Sequence, residues 1–153
     1  MTHRSRKNSK KPSKHNALSI ATSRGTYVLA IHLPDSRRLK IGALGYRELE
    51  KGYYVYVGSA RRHLAKRIAR HLKKRKPLWW HIDYITSLPE TNIVKVVATD
   101  RVGVECSLSS SLASMGKAIP KIGSSDCRCP SHLIYFPTLK TVGKAVQKTF
   151  HRL

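Results

Sequence analysis

Nine of the sixteen residues from Arg61 to Lys76 are Lys or Arg, and none is acidic. Such density suits the backbone of a nucleic acid, because each neutralised phosphate releases condensed counterions. Arg61, Arg62, Lys66, Arg70, Lys73 and Lys74 are candidates for that contact; a merely solvated basic face is the alternative. Arg67, in the same run, carries a planar fork that can grip two phosphate oxygens, or it snorkels at a helix edge. His71, one turn on, can orient a phosphate or pass a proton, unless it is a packed helix histidine. Glu105 is the one carboxylate that the residue pattern places within a helix. A single carboxylate can hold Mg²⁺ or another divalent cation, since such ions keep several waters and substrate oxygens; otherwise Glu105 is a helix-start acid favoured by the macrodipole.

Cys106, Cys127, Cys129 and His132 are of the types that ligate Zn²⁺. Cys127 and Cys129 are closer in sequence than the usual structural-zinc spacing. A helical wheel also sets Cys106 nearly opposite the leucine stripe of its helix, so reduced thiols in a packed loop are the competing reading. Trp79 and Trp80 can stack exposed bases or act as core and hinge residues. His81 and Asp83, one residue apart, would share one side of a strand, either as a hydrogen-bonded pair near the site or, the favoured reading, in a structural role.

The composition narrows the classes. The chain has 153 residues with 30 Lys+Arg against 8 Asp+Glu, a formal charge of +22 and a pI near 10.5. That length fits one domain. A small domain with this charge repels itself unless a polyanion relieves it, which points to nucleic acid. No apolar run reaches the ~20 residues of a membrane helix, and no membrane partner is expected. Three cysteines make no disulfide framework and suit a reducing compartment, so the expected location is cytoplasmic, at the nucleoid. Residues 1–22 read as a basic, disordered tail. The first sixteen hold six Lys/Arg, two His and no hydrophobic residue except Met1, too little to repay ordering.

The elements that must position these groups lie in residues 23–153. Tyr27 to Leu33 reads as a strand closed by the turn Pro34-Asp35-Ser36, and Arg38 to Leu44 as a weaker one. Gly52 to Gly58 is the best strand, aromatic and β-branched between glycines. Short turns between strands favour antiparallel pairing. Arg61 to Arg75 reads as a helix with the stripe Leu64, Ala65, Ile68, Ala69 and Leu72. Trp79 to Leu88 is of ambiguous type, and Ile93 to Ala98 is a strand. A second helix from Val102 to Met115 would bury Val104, Leu108, Leu112 and Met115. A Ser/Cys loop, a strand from His132 to Phe136 and a closing helix from Leu139 to His151 complete an α/β (α+β) domain.

Gly25-Thr26-Tyr27, then Tyr56-Val57-Gly58-Ser59-Ala60, then Leu64, Arg67 and His71, with Glu105 on a later helix, resemble the GIY-YIG nuclease superfamily. The similarity is greatest to a small prokaryotic branch whose domain is sometimes fused to endonuclease III. Gly52-Tyr53-Tyr54, Trp80-His81-Ile82-Asp83-Tyr84, Glu105-Cys106 and Ser125-Asp126-Cys127 extend it. The resemblance implies a mainly antiparallel sheet flanked by helices and a metal-dependent endonuclease acting on DNA, with a repair enzyme as partner. It implies Tyr27 as base, Tyr56 positioning water or substrate, Arg67 and His71 at the phosphate, and Glu105 on Mg²⁺. Gly25 and Gly58 would permit a substrate to approach the backbone. An isolated tyrosine is a costly base: ionising it at pH 7 takes roughly 4 kcal/mol unless nearby positive charge offsets it. The chain departs from the superfamily in one extra residue between Gly58 and Arg67, and in having no Asn beyond Asn92. Ser124, Ser125 or Asp126 would have to stand in for that asparagine. Two other classes stay open: a non-catalytic nucleic-acid-binding module on the same scaffold, and an RNA-associated structural protein.

Overall fold

The computed structural model describes residues 23–125 and 127–153; the tail at 1–22 and Asp126 lie outside them. Strand β1 (Gly25–Leu33) pairs on both sides, with β4 (Gly52–Ala60) and with β5 (Asn92–Thr99). The sheet continues through β7 (Leu133–Phe136) to the two-residue β6 (Lys117–Ala118), in the order β5-β1-β4-β7-β6. Every pairing is antiparallel. A separate hairpin joins β2 (Arg37–Lys40) and β3 (Tyr46–Leu49). The fold is α+β, as the sequence pattern implies, with four helices flanking the sheet.

Period-two alternation on the central strands builds two cores. Tyr27, Leu29, Ile31 and Leu33 face one side with Tyr54, where they pack on Leu64, Ile68, Ile82 and Ile85. These belong to α1 (Leu64–Leu72) and the short α2 (Asp83–Thr86) with the turn before it. Val28, Ala30, Val55 and Val57 face the other side. They meet α3 (Glu105–Ala113) and α4 (Leu139–His151) through Leu108, Leu112, Val142 and Val146. Strand β1 is therefore buried on both faces.

Several element boundaries differ from the sequence reading, each for a local reason. Helix α1 starts three residues late because His63 is left-handed (φ 55°), and it stops where Lys73 turns extended. Its buried stripe is Leu64, Ile68 and His71; Ala69 is exposed and Leu72 is 54% exposed. His71 takes the core position that Leu72 was expected to fill. Helix α3 begins at Glu105, not Val102, since Gly103 has φ +77° and breaks the helical path. Met115 lies beyond its end and is exposed. The segment Arg38 to Leu44 is half strand and half 3₁₀ turn (Gly42–Leu44), and β3 and β6 were not anticipated. Helix α4 matches its expected bounds, helped by a capping box in which Thr138 and Thr141 satisfy one another's backbone.

Candidate functional site

A cavity of about 630 Å³ opens where the ends of β1 and β4 meet α1 and the start of α3. Tyr27, Tyr56, Arg67 and Glu105 all line it, although four different elements supply them. Antiparallel register explains the first two. Tyr27 sits opposite Gly58, two residues from Tyr56 on the same strand face. A Cβ at Gly58 would lie 2.5 Å from Tyr27 Cζ and Oη, so only glycine lets the ring cross β4 there. Gly25 likewise accommodates the carbonyl of Thr99, 2.0 Å from where its Cβ would stand. Both glycines thus serve close approach within the sheet. Gly25 does not line the cavity, which corrects its expected role at the substrate; Gly58 does line it.

Behind the cavity, Tyr27 Oη lies 2.6 Å from His71 Nε2 in a buried contact. Burial foremost, then the neighbouring Tyr56, raises the Tyr27 pKa well above its ordinary value despite the pull of Arg67. Burial, followed by the charge of Lys76, lowers His71 to about 4. Both groups are neutral near pH 7, and the hydroxyl is assigned as donor to Nε2. His71 then carries its own hydrogen on Nδ1, a buried atom with no hydrogen-bond partner among the described residues. Positive charge therefore does not offset the cost of ionising Tyr27, because desolvation is the larger effect. Tyr56 is also shifted upward, chiefly by burial.

Arg67 Nη1 donates to the Ser59 carbonyl at 2.7 Å, and the guanidinium lies over the Trp80 ring, 5.0 Å from its centroid. Glu105 is the only carboxylate among the described cavity-lining residues, and its side chain is 28% exposed. Burial works to raise its pKa, but hydrogen bonds from His132 and Ser59 and the charges of His132 and Arg67 outweigh that. The net shift is downward, so Glu105 is ionised at neutral pH. His132 Nδ1 stands 3.1 Å from Glu105 Oε1.

The basic run divides in two. Arg70 donates from Nη1 and Nη2 to the two oxygens of Asp83, each at 2.9 Å, and its guanidinium sits 4.5 Å from the ring centroids of both Trp79 and Trp80. Asp83 is fully buried and also accepts from the backbone N–H groups of Trp79 and Trp80. Lys74 donates to the carbonyls of Thr86, Leu88 and Thr91, and Lys76 to those of Arg70 and His71. Arg70 and Lys74, expected at a nucleic acid, are thus committed to holding α1 against α2. The physical reason is the buried Asp83 and the open carbonyls around α2, which need donors. Arg61, Arg62, Lys66 and Lys73 are exposed. Asp83 lies on a helix start, so it does not pair with His81 across a strand.

Cys106, Cys127, Cys129 and His132 converge. Their ligand atoms all lie within 4.8 Å of one another, a set able to hold a metal ion. Cys127 Sγ is 3.3 Å and Cys106 Sγ 4.0 Å from His132 Nε2. Burial, with the hydrogen bonds and charges of the adjacent thiols, pushes the Cys129 thiol up to about 12. The wheel position of Cys106 is no obstacle, because α3 starts at Glu105 and presents its first turn to the loop.

Residues 26–153 match the family model described as Domain of unknown function DUF123. The chain belongs to this family. No curated protein and no solved structure matches it. The DUF123 span takes in every residue of the cavity and of the cysteine cluster. Of the serines considered as stand-ins for an asparagine, Ser125 lines the DUF123 cavity and Ser124 is buried. Among the described residues, no helix is long and apolar enough to cross a membrane. Sequence reasoning missed the Asp83 anchor, the Ser59 carbonyl under Arg67 and the link from His132 to Glu105. No spacing signal could have shown that link, since the two lie far apart along the chain, joined through a loop.

Proposed function

We propose that the cavity is the active site of a metal-dependent endonuclease that hydrolyses DNA phosphodiester bonds. The observation that carries this reading is the meeting of Tyr27, Tyr56, Arg67 and Glu105 in one cavity, with His71 bonded to Tyr27 behind it. The donor set fits a hard cation: an ionised carboxylate, partly open to the cavity, with room for waters and phosphate oxygens. Glu105 would hold Mg²⁺, which when bound neutralises phosphate charge and acidifies water.

The remaining roles belong to side chains. Arg67, steadied by the Ser59 carbonyl and the Trp80 face, presents its remaining N–H groups to a phosphate oxygen and stabilises the charge that builds there. Tyr27 acts as a relay: its hydroxyl takes a proton from the attacking water while passing its own to His71 Nε2. No tyrosinate forms; the cost moves to protonating His71, which burial lowers to about 4. Tyr56 positions water or substrate. Arg61, Arg62, Lys66 and Lys73 bind the flanking backbone of the nucleic acid. One such centre cuts one strand, so a nick is the expected product. The cluster of three cysteines and His132 would take Zn²⁺, because thiolates and imidazole select it over hard cations.

A non-catalytic nucleic-acid-binding module is the second reading, favoured by one observation: Glu105 Oε1 is already engaged by His132. Supercoiled-plasmid nicking at low salt separates the two. Wild type with Mg²⁺ should nick, while EDTA or Glu105→Gln should abolish cutting and leave binding intact. Binding by wild type without cutting would refute the nuclease reading.

A further inference from the structure

We infer that His132 bridges two metal sites: it ligates Zn²⁺ with Nε2 alongside Cys106, Cys127 and Cys129, and through Nδ1–H it positions Glu105. The zinc site is thereby the brace of the cavity carboxylate. Only the description of Glu105 as a second metal site rests on the nuclease reading.

The two ring nitrogens face different groups. Nδ1 lies 3.1 Å from Glu105 Oε1, and Nε2 faces the thiols at 3.3 Å (Cys127) and 4.0 Å (Cys106). An ionised carboxylate can only accept, so it fixes the hydrogen on Nδ1 and leaves the Nε2 lone pair on the thiol side. Histidine ligands of metals are commonly oriented in this way by a carboxylate behind the ring. The spacing suits a tetrahedral ion: two thiolates at ~2.3 Å from zinc stand about 3.8 Å apart, and all four donor atoms here lie within 4.8 Å.

The backbone of His132 is held in place independently of either partner. The backbone N–H of His132 donates to Ile122 O at 2.8 Å, and its carbonyl accepts from Val57 N–H at 2.9 Å. His132 is buried, with β4 on one side and the loop at Ile122 on the other. A second covalent tie runs along the chain, because Glu105 and Cys106 are adjacent in the first turn of α3. A cation at the thiols therefore fixes Glu105 twice, through Cys106 along the backbone and through His132 across space.

The test begins with the metal. The purified 153-residue chain should contain one zinc, and X-ray absorption should show three sulfurs at about 2.3 Å and one nitrogen at about 2.0–2.1 Å. Folded protein that takes up no added zinc, or a zinc site without nitrogen, would overturn the proposal. Next, Glu105→Ala is compared with wild type in competition for zinc against a chromophoric chelator. Loss of the carboxylate behind the ring should weaken zinc affinity roughly 10–100-fold; an unchanged affinity would overturn the bridge. Neither readout uses cleavage, so both decide the bridge even if wild type never cuts DNA. Finally, His132→Cys offers four thiolates, which should keep zinc but lose the bond to Glu105. For a chain that nicks, the Mg²⁺ concentration giving half-maximal rate should rise at least tenfold with zinc retained. An unchanged Mg²⁺ requirement would refute the positioning role, and if this variant fails to fold the Glu105→Ala affinity still decides.

Discussion

The pair Arg70–Asp83 offers the sharpest test of the division drawn within the basic run. Asp83 is fully buried and the Arg70 side chain is 16% exposed. The carboxylate takes two guanidinium bonds and two backbone N–H bonds, all between 2.9 and 3.0 Å. Asp83→Ala strands a guanidinium that is largely out of water, together with two amide donors. Removing one partner of a buried, well-bonded pair costs about 3–5 kcal/mol. At roughly 3–4 °C per kcal/mol for a domain of this size, the melting temperature should fall by about 10–20 °C. Arg70→Ala should do comparable damage, and the double substitution should cost less than the sum. Urea unfolding at pH 7 measures all three. The same proteins should then be titrated with duplex DNA over a range of salt. If Arg70 holds the scaffold, the slope of log affinity against log salt stays at the wild-type value in folded Arg70→Ala, whereas Lys66→Ala lowers it by about 0.9. A loss under 1 kcal/mol for Asp83→Ala, or a slope lowered equally by Arg70→Ala and Lys66→Ala, would refute this division.

Two further outcomes follow from the tyrosine side of the cavity. Gly58→Ala places a methyl 2.5 Å from Tyr27 Cζ and should destabilise by about 1–3 kcal/mol, as overpacking does, with loss of activity beyond the fraction unfolded; wild-type stability by urea titration would show that the ring moves aside freely. His71, lowered to about 4 by burial and by the charges of Lys76, Arg70 and Arg67 against Asp83, is neutral in the fold. Its contribution is complete above the unfolded pKa near 6.5 and is lost as pH falls from 6.5 toward 4, a total of roughly 3 kcal/mol. His71→Gln should flatten stability against pH in that window, and a wild type as flat as the variant would count against a buried neutral histidine.

Much of this protein was legible in one dimension because its signals are local. The strand from Gly52 is bounded by glycines and made of β-branched and aromatic residues, so local preference and burial agree. The closing helix at Leu139–His151 has its capping threonines in sequence. The ordered set Tyr27, Tyr56, Arg67 and Glu105 was readable as a pattern, and the fold brings it to one cavity.

What sequence could not decide was which charges are free. The run from Arg61 to Lys76 has one composition, yet Arg70, Lys74 and, through Thr86 Oγ1, Lys76 face acceptors that only the packing of α2 against α1 brings near. Helix ends misled for a related reason: positive φ at His63 and Gly103 shortens both helices. The cysteine cluster shows the same limit. Residue types named the four donors, but their convergence depends on a loop that returns to the first turn of α3, and the histidine between them and Glu105 belongs to neither motif alone. Residue chemistry and short-range periodicity are written along the chain. Burial, and with it every pKa and every choice of ionic partner, depends on distances that exist only once the sheet has closed.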